Sequence, residues 1–290
     1  MTAGAFALVL TAAVAHAVWN LAAKRVVADR VVVVTVFIVG SVLLWVPLGI
    51  GWAITTGQRP GLTWLGAAAV SAVIHVVYNL VLVHGYAVGD LNLVYPLARG
   101  VGPLVVLLVA VSLLGEAPGA WALAGAGCVV LGVLVMTLEP SPDRRDRRRA
   151  GATWGILTGL TIAAYTLWDH HAVSVLDVPP LTYFCLGLVL QAVPLSLATL
   201  AGPERRRQVR PVLTSHWREL LTIAVLSPMA YVLVLQALTT APVSLVAPLR
   251  ESSIVVGSLL GWWLLGEPRA ARRLLGAAVV VVGVGLLSLA

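Results

Sequence analysis

The sequence predicts an all-α polytopic membrane protein, with ten transmembrane helices arranged as two inverted five-helix repeats. Three observations support this fold class. Of the 290 residues, 60% are hydrophobic and only 11% are charged, and the mean hydropathy is +0.97. Ten apolar runs are long enough to cross a bilayer, which takes about 20 residues. A long segment of the second half also repeats the pattern of a segment in the first half.

The ten predicted spans follow one another closely. Most connections are short, so we expect neighbouring helices to pack antiparallel. Only residues 139–149 and 202–219 form longer connections. The predicted limits of the spans are 2–23, 31–54, 62–84, 90–113, 119–138, 151–173, 179–201, 219–239, 242–265 and 270–289.

The net charge of +7 is unevenly placed along the chain. Of the 19 lysines and arginines, sixteen fall in four loops on the face opposite the termini. Arg59 lies on the face of the termini, and Arg99 and Arg250 fall inside spans. This bias indicates membrane topology and does not call for a nucleic-acid partner. It predicts a multi-pass protein of the cytoplasmic membrane with both termini extracytoplasmic.

The duplicated segments are residues 92–118 and 244–268. Each contains a proline, an arginine and a terminal LLGE, and Arg99 and Arg250 stand at the same distance before the LLGE glutamate. HAVWN at residues 16–20 also resembles YTLWD at residues 165–169. We therefore expect a first repeat at 1–139, a basic cytoplasmic linker at 140–150 and a second repeat at 151–290. Five spans per repeat is an odd number, so the second copy enters the membrane in the opposite sense.

These residues resemble the drug/metabolite transporter superfamily, and specifically its ten-helix EamA-type branch. The resemblance covers the whole chain. It implies two inverted repeats around a central cavity that is lined by the first, third and fourth helices of each half. It also implies a secondary active transporter working by alternating access, proton- or exchange-coupled. Such transporters often export small organic metabolites such as amino acids. The implied partners are a small-molecule substrate and membrane lipid, with no cofactor, for a monomer or homodimer.

Arg99 and Arg250 are the main candidate site residues. A cation within the bilayer costs roughly 2.5–3.5 kcal/mol on insertion scales unless it faces water or a partner. In an inverted repeat the two arginines occupy symmetry-related places. One interpretation is that they hold a substrate carboxylate or phosphate, which suits the planar guanidinium. The alternative is structural, with Arg250 bonded to Glu251 or helix ends, and Arg99 reaching toward the interface.

Acidic, aromatic and amide side chains accompany the arginines. Asp169 and Glu251 lie within spans, where a carboxylate can carry a coupling proton or form a buried salt bridge with an arginine. Spacings of three and four residues place the polar side chains of each helix on one face. They indicate either a substrate pocket or hydrogen bonds between helices. The candidate substrate-binding residues are Trp19, Asn20, Tyr78, Asn79, Tyr95, Trp168 and Tyr231.

Prolines and glycines add predictions about the backbone. Pro96 and Pro248 lack an N–H and are expected to kink or break the fourth and ninth helices, giving hinges near the arginines. Small-residue spacings in residues 125–132 and 276–285 favour close helix contact, within a monomer or in a dimer. Glu116 and Glu267 are expected to be structural caps or interfacial anchors.

Two alternative functions remain at this point. A lipid-headgroup flippase of the same superfamily differs only in its substrate. An intramembrane enzyme would use histidines as metal ligands or as an acid/base set, but the sequence has no HExxH or similar metal spacing, and no metal site is predicted. The histidines in question are His75, His84, His170 and His171.

Overall fold

A computed structural model describes residues 1–26, 28–89, 91–137, 145–265 and 271–289. Within these ranges the regular elements are twelve α-helices, and no strand occurs. The helices are α1 (Ala3–Lys24), α2 (Arg30–Thr55), α3 (Leu62–Val88), α4 (Leu91–Ser112), α5 (Ala120–Thr137), α6 (Arg145–Ser174), α7 (Pro180–Ala201), α8 (Pro203–Ser215), α9 (Trp217–Leu238), α10 (Val243–Arg250), α11 (Ser253–Leu265) and α12 (Ala271–Ser288). Residues 140–144 of the predicted linker, and Glu267, lie outside the described residues, whereas 145–150 form the start of α6.

The helices confirm the predicted class of all-α polytopic membrane protein. Seven of the segments described are long and apolar enough to cross a membrane. Two shorter apolar helices, Ala120–Met136 and Leu274–Ser288, coincide with the predicted fifth and tenth spans. The predicted sixth span lies in α6, which begins earlier than expected, at Arg145.

The predicted ninth span is broken into two helices. α10 ends at Arg250, and α11 begins at Ser253 after a two-residue turn. The break follows Pro248, whose ring removes a backbone donor, so the predicted interruption of this helix is confirmed. α4 contains Pro96 and Pro103 yet remains a single helix, so of the two expected outcomes, a kink or a break, the break does not occur there. A hinge role for Pro96 or Pro248 stays a prediction.

A helix that we did not predict, α8, occupies most of the connection 202–219. Pro203 stands in its first turn, where the missing N–H costs nothing, and Glu204 follows near the positive end of the helix dipole. Val212 is buried in a small apolar cluster with Val32 and Leu220. The Arg205 Nε atom also lies 3.6 Å from the Asp29 carboxylate. Asp29, which directly precedes α2, and α8 therefore lie at the same end of the molecule.

Helices of the two halves pack extensively on each other. α1 contacts α9, and the corresponding helices of the other half, α6 and α3, also contact each other. Likewise α4 packs on α6, while α1 packs on α10 and α11. Further major pairs include α2 with α7 and α5 with α12. Reciprocal pairing of this kind is expected of two repeats related by a two-fold axis, and the division into repeats at 1–139 and 151–290 stays a prediction.

The pair α5 and α12 is held together at four glycines. A Cβ atom on Gly132 would lie 2.7 Å from the carbonyl oxygen of Gly276, and one on Gly276 would lie 2.6 Å from that of Gly132. Gly125 and Gly283 form a second reciprocal pair, with distances of 2.8 and 2.7 Å. The predicted small-residue contact therefore occurs within one chain, where it joins the two halves.

Candidate functional site

Two polar clusters lie in the interior of the helix bundle. The guanidinium cluster consists of His16, Arg99, Arg250 and Glu251, from α1, α4 and the break between α10 and α11. The carboxylate cluster contains the Asp169 side chain of α6 and the side chains around it. Its members are Ser71, His75, Asp169, Tyr183 and Tyr231.

Glu251 is the centre of the guanidinium cluster, and its side chain is only 1% exposed. Its Oε2 atom lies 3.3 Å from Nη1 of Arg99. The other terminal nitrogen of Arg99, Nη2, donates to Nε2 of His16 over 3.0 Å. A guanidinium can only donate, so Nε2 of His16 accepts, and the ring carries its proton on Nδ1. Arg99 is thus fixed by two partners and does not reach toward the interface.

Arg250 is held more loosely than Arg99. Its Nε atom is 3.9 Å from Oε1 of Glu251, which is beyond hydrogen-bonding distance. Its Cζ atom stands 5.9 Å from the ring centroid of Tyr165. Among the described residues these are its contacts with charged and aromatic groups. Two buried guanidiniums therefore share one carboxylate, and the guanidinium cluster carries an excess positive charge.

Asp169 is the centre of the carboxylate cluster and is 1% exposed. The Ser71 hydroxyl donates to its Oδ1 atom over 2.6 Å, and the Tyr183 hydroxyl donates to the same oxygen over 2.5 Å. The Tyr231 hydroxyl donates to Oδ2. These donors come from α3, α7 and α9. Three hydroxyl donors compensate the desolvation of the carboxylate and also join four helices around it.

His75 of the carboxylate cluster contacts Tyr165, a residue that also lies beside the guanidinium cluster. Its Nδ1 atom lies 2.9 Å from the carbonyl oxygen of Ser71, and its Nε2 atom lies 3.2 Å from the Tyr231 hydroxyl. The imidazole stacks on Tyr165 with 4.4 Å between ring centroids. Tyr165 therefore neighbours both His75 of the carboxylate cluster and the Arg250 guanidinium of the guanidinium cluster.

Two buried polar atoms near the guanidinium cluster lack a hydrogen-bond partner in the part of the chain that the structure describes. Trp19 Nε1 is one, and the ring of Trp19 meets His16 edge-on at 4.9 Å between centroids. Ser252 Oγ is another, directly after Glu251. An unsatisfied buried donor costs about 1–3 kcal/mol, so such groups favour a site that a polar ligand completes.

The second predicted repeat matches a known family model. Residues 149–289 match the model described as the EamA-like transporter family. The match covers just under half of the chain and supports its assignment to the drug/metabolite transporter superfamily. The whole chain is also similar in fold to a solved crystal structure, with a TM-score of 0.77 at 15% sequence identity, over 100% of this chain and 98% of that one. No curated protein sequence gives a match. The EamA-like family lies within the predicted drug/metabolite transporter superfamily.

The match to the EamA-like transporter family and the seven candidate spans support a multi-pass membrane transporter. The prediction that the protein is not an enzyme agrees with this match. Within the described residues, the histidines of the alternative enzyme do not converge. His84 packs on Trp154, His170 lies 3.1 Å from Ser174 Oγ, and His171 lies beside Trp168. None of these partners is a partner of His75. The same residues include no group of three or more His, Cys, Asp or Glu side chains suited to a metal ion.

The predicted pocket residues of this EamA-like transporter fall into two groups. Tyr231 belongs to the carboxylate cluster, Tyr78 meets Tyr165 edge-on at 5.6 Å, and the Tyr95 ring lies 5.6 Å from Cζ of Arg99. These three, with Trp19, surround the clusters. The other residues bind backbone carbonyl oxygens, as in the structural alternative. Asn20 donates to His16, Asn79 donates to His75, and Trp168 donates to Ala67.

Glu116 caps a helix of the opposite half. Its Oε1 and Oε2 atoms accept hydrogen bonds from the backbone N–H groups of Val243 and Ser244, over 3.0 and 3.1 Å. The N-cap residue of α10, Pro242, provides no side-chain cap of its own. The expected capping role is confirmed for Glu116.

We expect Glu116→Ala to lower the free energy of unfolding by about 1–2 kcal/mol, the upper range for losing a helix cap. Chemical unfolding of the purified protein in detergent measures the change. Glu204→Ala is the matched control, because Glu204 is exposed and pairs only with the exposed Arg207 among the described residues. Equal stabilities of the two variants would contradict the capping role.

Proposed function

We propose that this EamA-like transporter is a secondary active transporter that exports a small organic carboxylate, such as an amino acid, by alternating access. The observation that carries the proposal is the excess positive charge of the guanidinium cluster. Buried charges are normally paired, and Glu251 is the only carboxylate in contact with Arg99 and Arg250 among the described residues. An anionic substrate group supplies the missing negative charge.

Arg250 is the arginine best placed to bind that group. Arg99 is occupied by Glu251 and His16, whereas the terminal nitrogens of Arg250 make no hydrogen bond to the described residues. A guanidinium offers two parallel N–H donors to a carboxylate. The break between α10 and α11 also ends the helix at Arg250, where freed backbone groups can contribute to a substrate site.

The surroundings of Arg250 favour an organic substrate with an apolar or aromatic portion. Tyr165 lies against the guanidinium, and Tyr78 and Tyr231 lie around Tyr165 at 5.6 and 6.5 Å between centroids. Phe184 extends the aromatic group at 5.7 Å from Tyr231. Aromatic walls combined with one charged group are typical of small-molecule sites. This combination supports an amino acid or a related carboxylate as substrate.

We also propose that the protein lies in the cytoplasmic membrane with both termini extracytoplasmic. Support comes from the grouping of the basic loops. Arg205 and Gln208 of α8 contact Asp29 in the first connection, and Arg272 of α12 donates to Val135 near the end of α5. Each contact joins elements that border basic segments. The positive-inside rule places such segments together on one side of the membrane.

The carboxylate proposal predicts a specific loss of binding in Arg250→Gln. A hydrogen bond to a charged group contributes about 1.5–3 kcal/mol, so L-phenylalanine should bind the variant roughly tenfold to a hundredfold more weakly. L-phenylalaninamide, which lacks the carboxylate, should bind wild type and variant equally. Isothermal titration calorimetry of the protein in nanodiscs measures both affinities. The same titrations are then made with other amino acids, small acids and organic cations.

Arg218→Gln is the matched control, because Arg218 is an exposed arginine at the start of α9 and contacts Trp217. Its affinities should equal those of wild type. Arg99→Gln should weaken binding indirectly, because Glu251 loses its partner Arg99. Unchanged binding of every ligand by Arg250→Gln would contradict the proposed carboxylate site.

A further inference from the structure

His75 has one nitrogen whose protonation the geometry determines. Nδ1 faces the carbonyl oxygen of Ser71 at 2.9 Å, and a carbonyl can only accept. The Ser71 hydroxyl, 3.3 Å from the same nitrogen, already gives its proton to Asp169. Nδ1 therefore carries a proton, and the charge of the imidazole depends on Nε2 alone.

Nε2 of His75 and Oδ2 of Asp169 share one hydroxyl group, that of Tyr231. A phenol has a single proton, so Tyr231 cannot donate to both neighbours at once. When Tyr231 donates to Asp169, its oxygen accepts from a protonated Nε2, and His75 is an imidazolium. When Asp169 holds the proton, it donates to Tyr231, which donates to Nε2, and His75 is neutral. The hydrogen bonds fit both arrangements.

We propose that Asp169, Tyr231 and His75 form a proton relay, in which one proton moves between Nε2 of His75 and Oδ2 of Asp169 through the Tyr231 phenol. In the forward step the Nε2–H bond breaks as a new O–H bond forms on Tyr231. The original O–H bond of Tyr231 breaks as Asp169 gains its proton. Tyr231 is unchanged at the end, and the total charge is conserved.

The groups packed around the relay explain why it would respond to substrate. Ser71 and Tyr183 donate only to Oδ1 of Asp169, so they stabilise its charge without joining the relay. Tyr165 stacks on His75, and Arg250 lies by the same ring. This step rests on the proposed function. An anion bound at Arg250 reduces the repulsion between the guanidinium and an imidazolium, so carboxylate binding and protonation of His75 favour each other.

Tyr231→Phe and Tyr183→Phe form a matched pair for testing the relay. Each removes one hydroxyl that donates to Asp169, but only Tyr231 also reaches His75. In proteoliposomes, L-phenylalanine uptake driven by a pH gradient should fall about 10²-fold or more in Tyr231→Phe, a typical effect of losing positioned proton transfer. Exchange of labelled for unlabelled L-phenylalanine, which needs no net proton movement, should persist. Tyr183→Phe leaves the link from Tyr231 to His75 intact, so it should lose much less pH-driven uptake than Tyr231→Phe.

A second measurement needs no substrate. Nitrogen-15 spectra of the histidine-labelled protein at one fixed pH report the protonation of His75. In Asp169→Asn the amide nitrogen replaces Oδ2 and donates to Tyr231, so His75 should become the neutral Nδ1–H tautomer. The corresponding spectrum of wild type should contain the imidazolium. Substituting His75→Gln identifies the His75 signals.

The outcomes separate the relay from the proposed function. Unimpaired pH-driven uptake by Tyr231→Phe would overturn the relay, as would identical His75 spectra in wild type and Asp169→Asn. Equal losses of uptake in Tyr231→Phe and Tyr183→Phe would also overturn it, since the Asp169 contacts would then act only structurally. If wild type fails to bind L-phenylalanine or any other carboxylate, the proposed function fails, while the spectra still test the relay.

Discussion

Glu251→Gln is expected to lower the free energy of unfolding by about 3–5 kcal/mol, the cost of leaving a buried charge without its partner. Glu251 is the only carboxylate within 4 Å of either Arg99 or Arg250 among the described residues, and all three side chains are largely buried. Glutamine has nearly the same shape, so the loss reports charge. Chemical unfolding in detergent, followed by tryptophan fluorescence, measures it.

A second substitution separates charge imbalance from lost packing. Adding Arg99→Met to Glu251→Gln removes one of the two uncompensated cations, so the double variant should recover much of the lost stability. Glu204→Gln is the exposed comparison, because the Arg207–Glu204 pair is solvated and worth about 0–1 kcal/mol. A single Glu251→Gln variant as stable as wild type would show that the guanidinium cluster is already neutralised by other means.

Gly276→Leu is expected to disrupt the contact between α5 and α12 and to destabilise the protein by about 3 kcal/mol, near the upper range for overpacking. The new Cβ would lie 2.6 Å from the Gly132 carbonyl oxygen and 2.7 Å from the Met136 backbone nitrogen. Backbone atoms cannot rotate away as a side chain can, so the helices must separate. Thermal unfolding and the monodisperse fraction on size-exclusion chromatography measure the effect.

Gly285→Leu is the control for this substitution. Gly285 lies on the same helix, and a Cβ atom there meets no atom of the described residues within 4 Å. It should leave the melting temperature close to that of wild type. If both variants behave alike, the helix propensity of α12 determines stability, and the glycine contact does not.

The helices of the fold were largely predictable, because a bilayer requires long apolar runs and the chain has little else. The missed helix, α8, is too polar to appear as a span. Its burial depends on Val212 meeting Val32, which is distant in sequence. The break at Arg250 was anticipated from Pro248. The matching break in α4 does not occur although Pro96 is present, so a proline alone does not determine whether a membrane helix stops.

The candidate site was predictable in its charged members and less so in its partners. Arg99, Arg250, Asp169 and Glu251 stood out because ionised residues are rare inside spans. The buried salt bridge with an arginine, one of the two interpretations of Glu251, is present with Arg99. Ser71 and Tyr183 were missed. Ser71 precedes His75 by one helical turn, and that spacing was a usable signal. No sequence signal pointed to Tyr183, because only the packing of α7 brings its hydroxyl to Asp169.

The cap on α10 has a consequence for the conformational cycle of the proposed transporter. Glu116 belongs to one half of the chain, whereas Val243 and Ser244 belong to the other. Under alternating access, any rocking motion that separates these segments must first transfer an ionised carboxylate and two amide groups to water. The two hydrogen bonds therefore oppose this separation, and their strength helps to set how long the two segments stay together between turnovers.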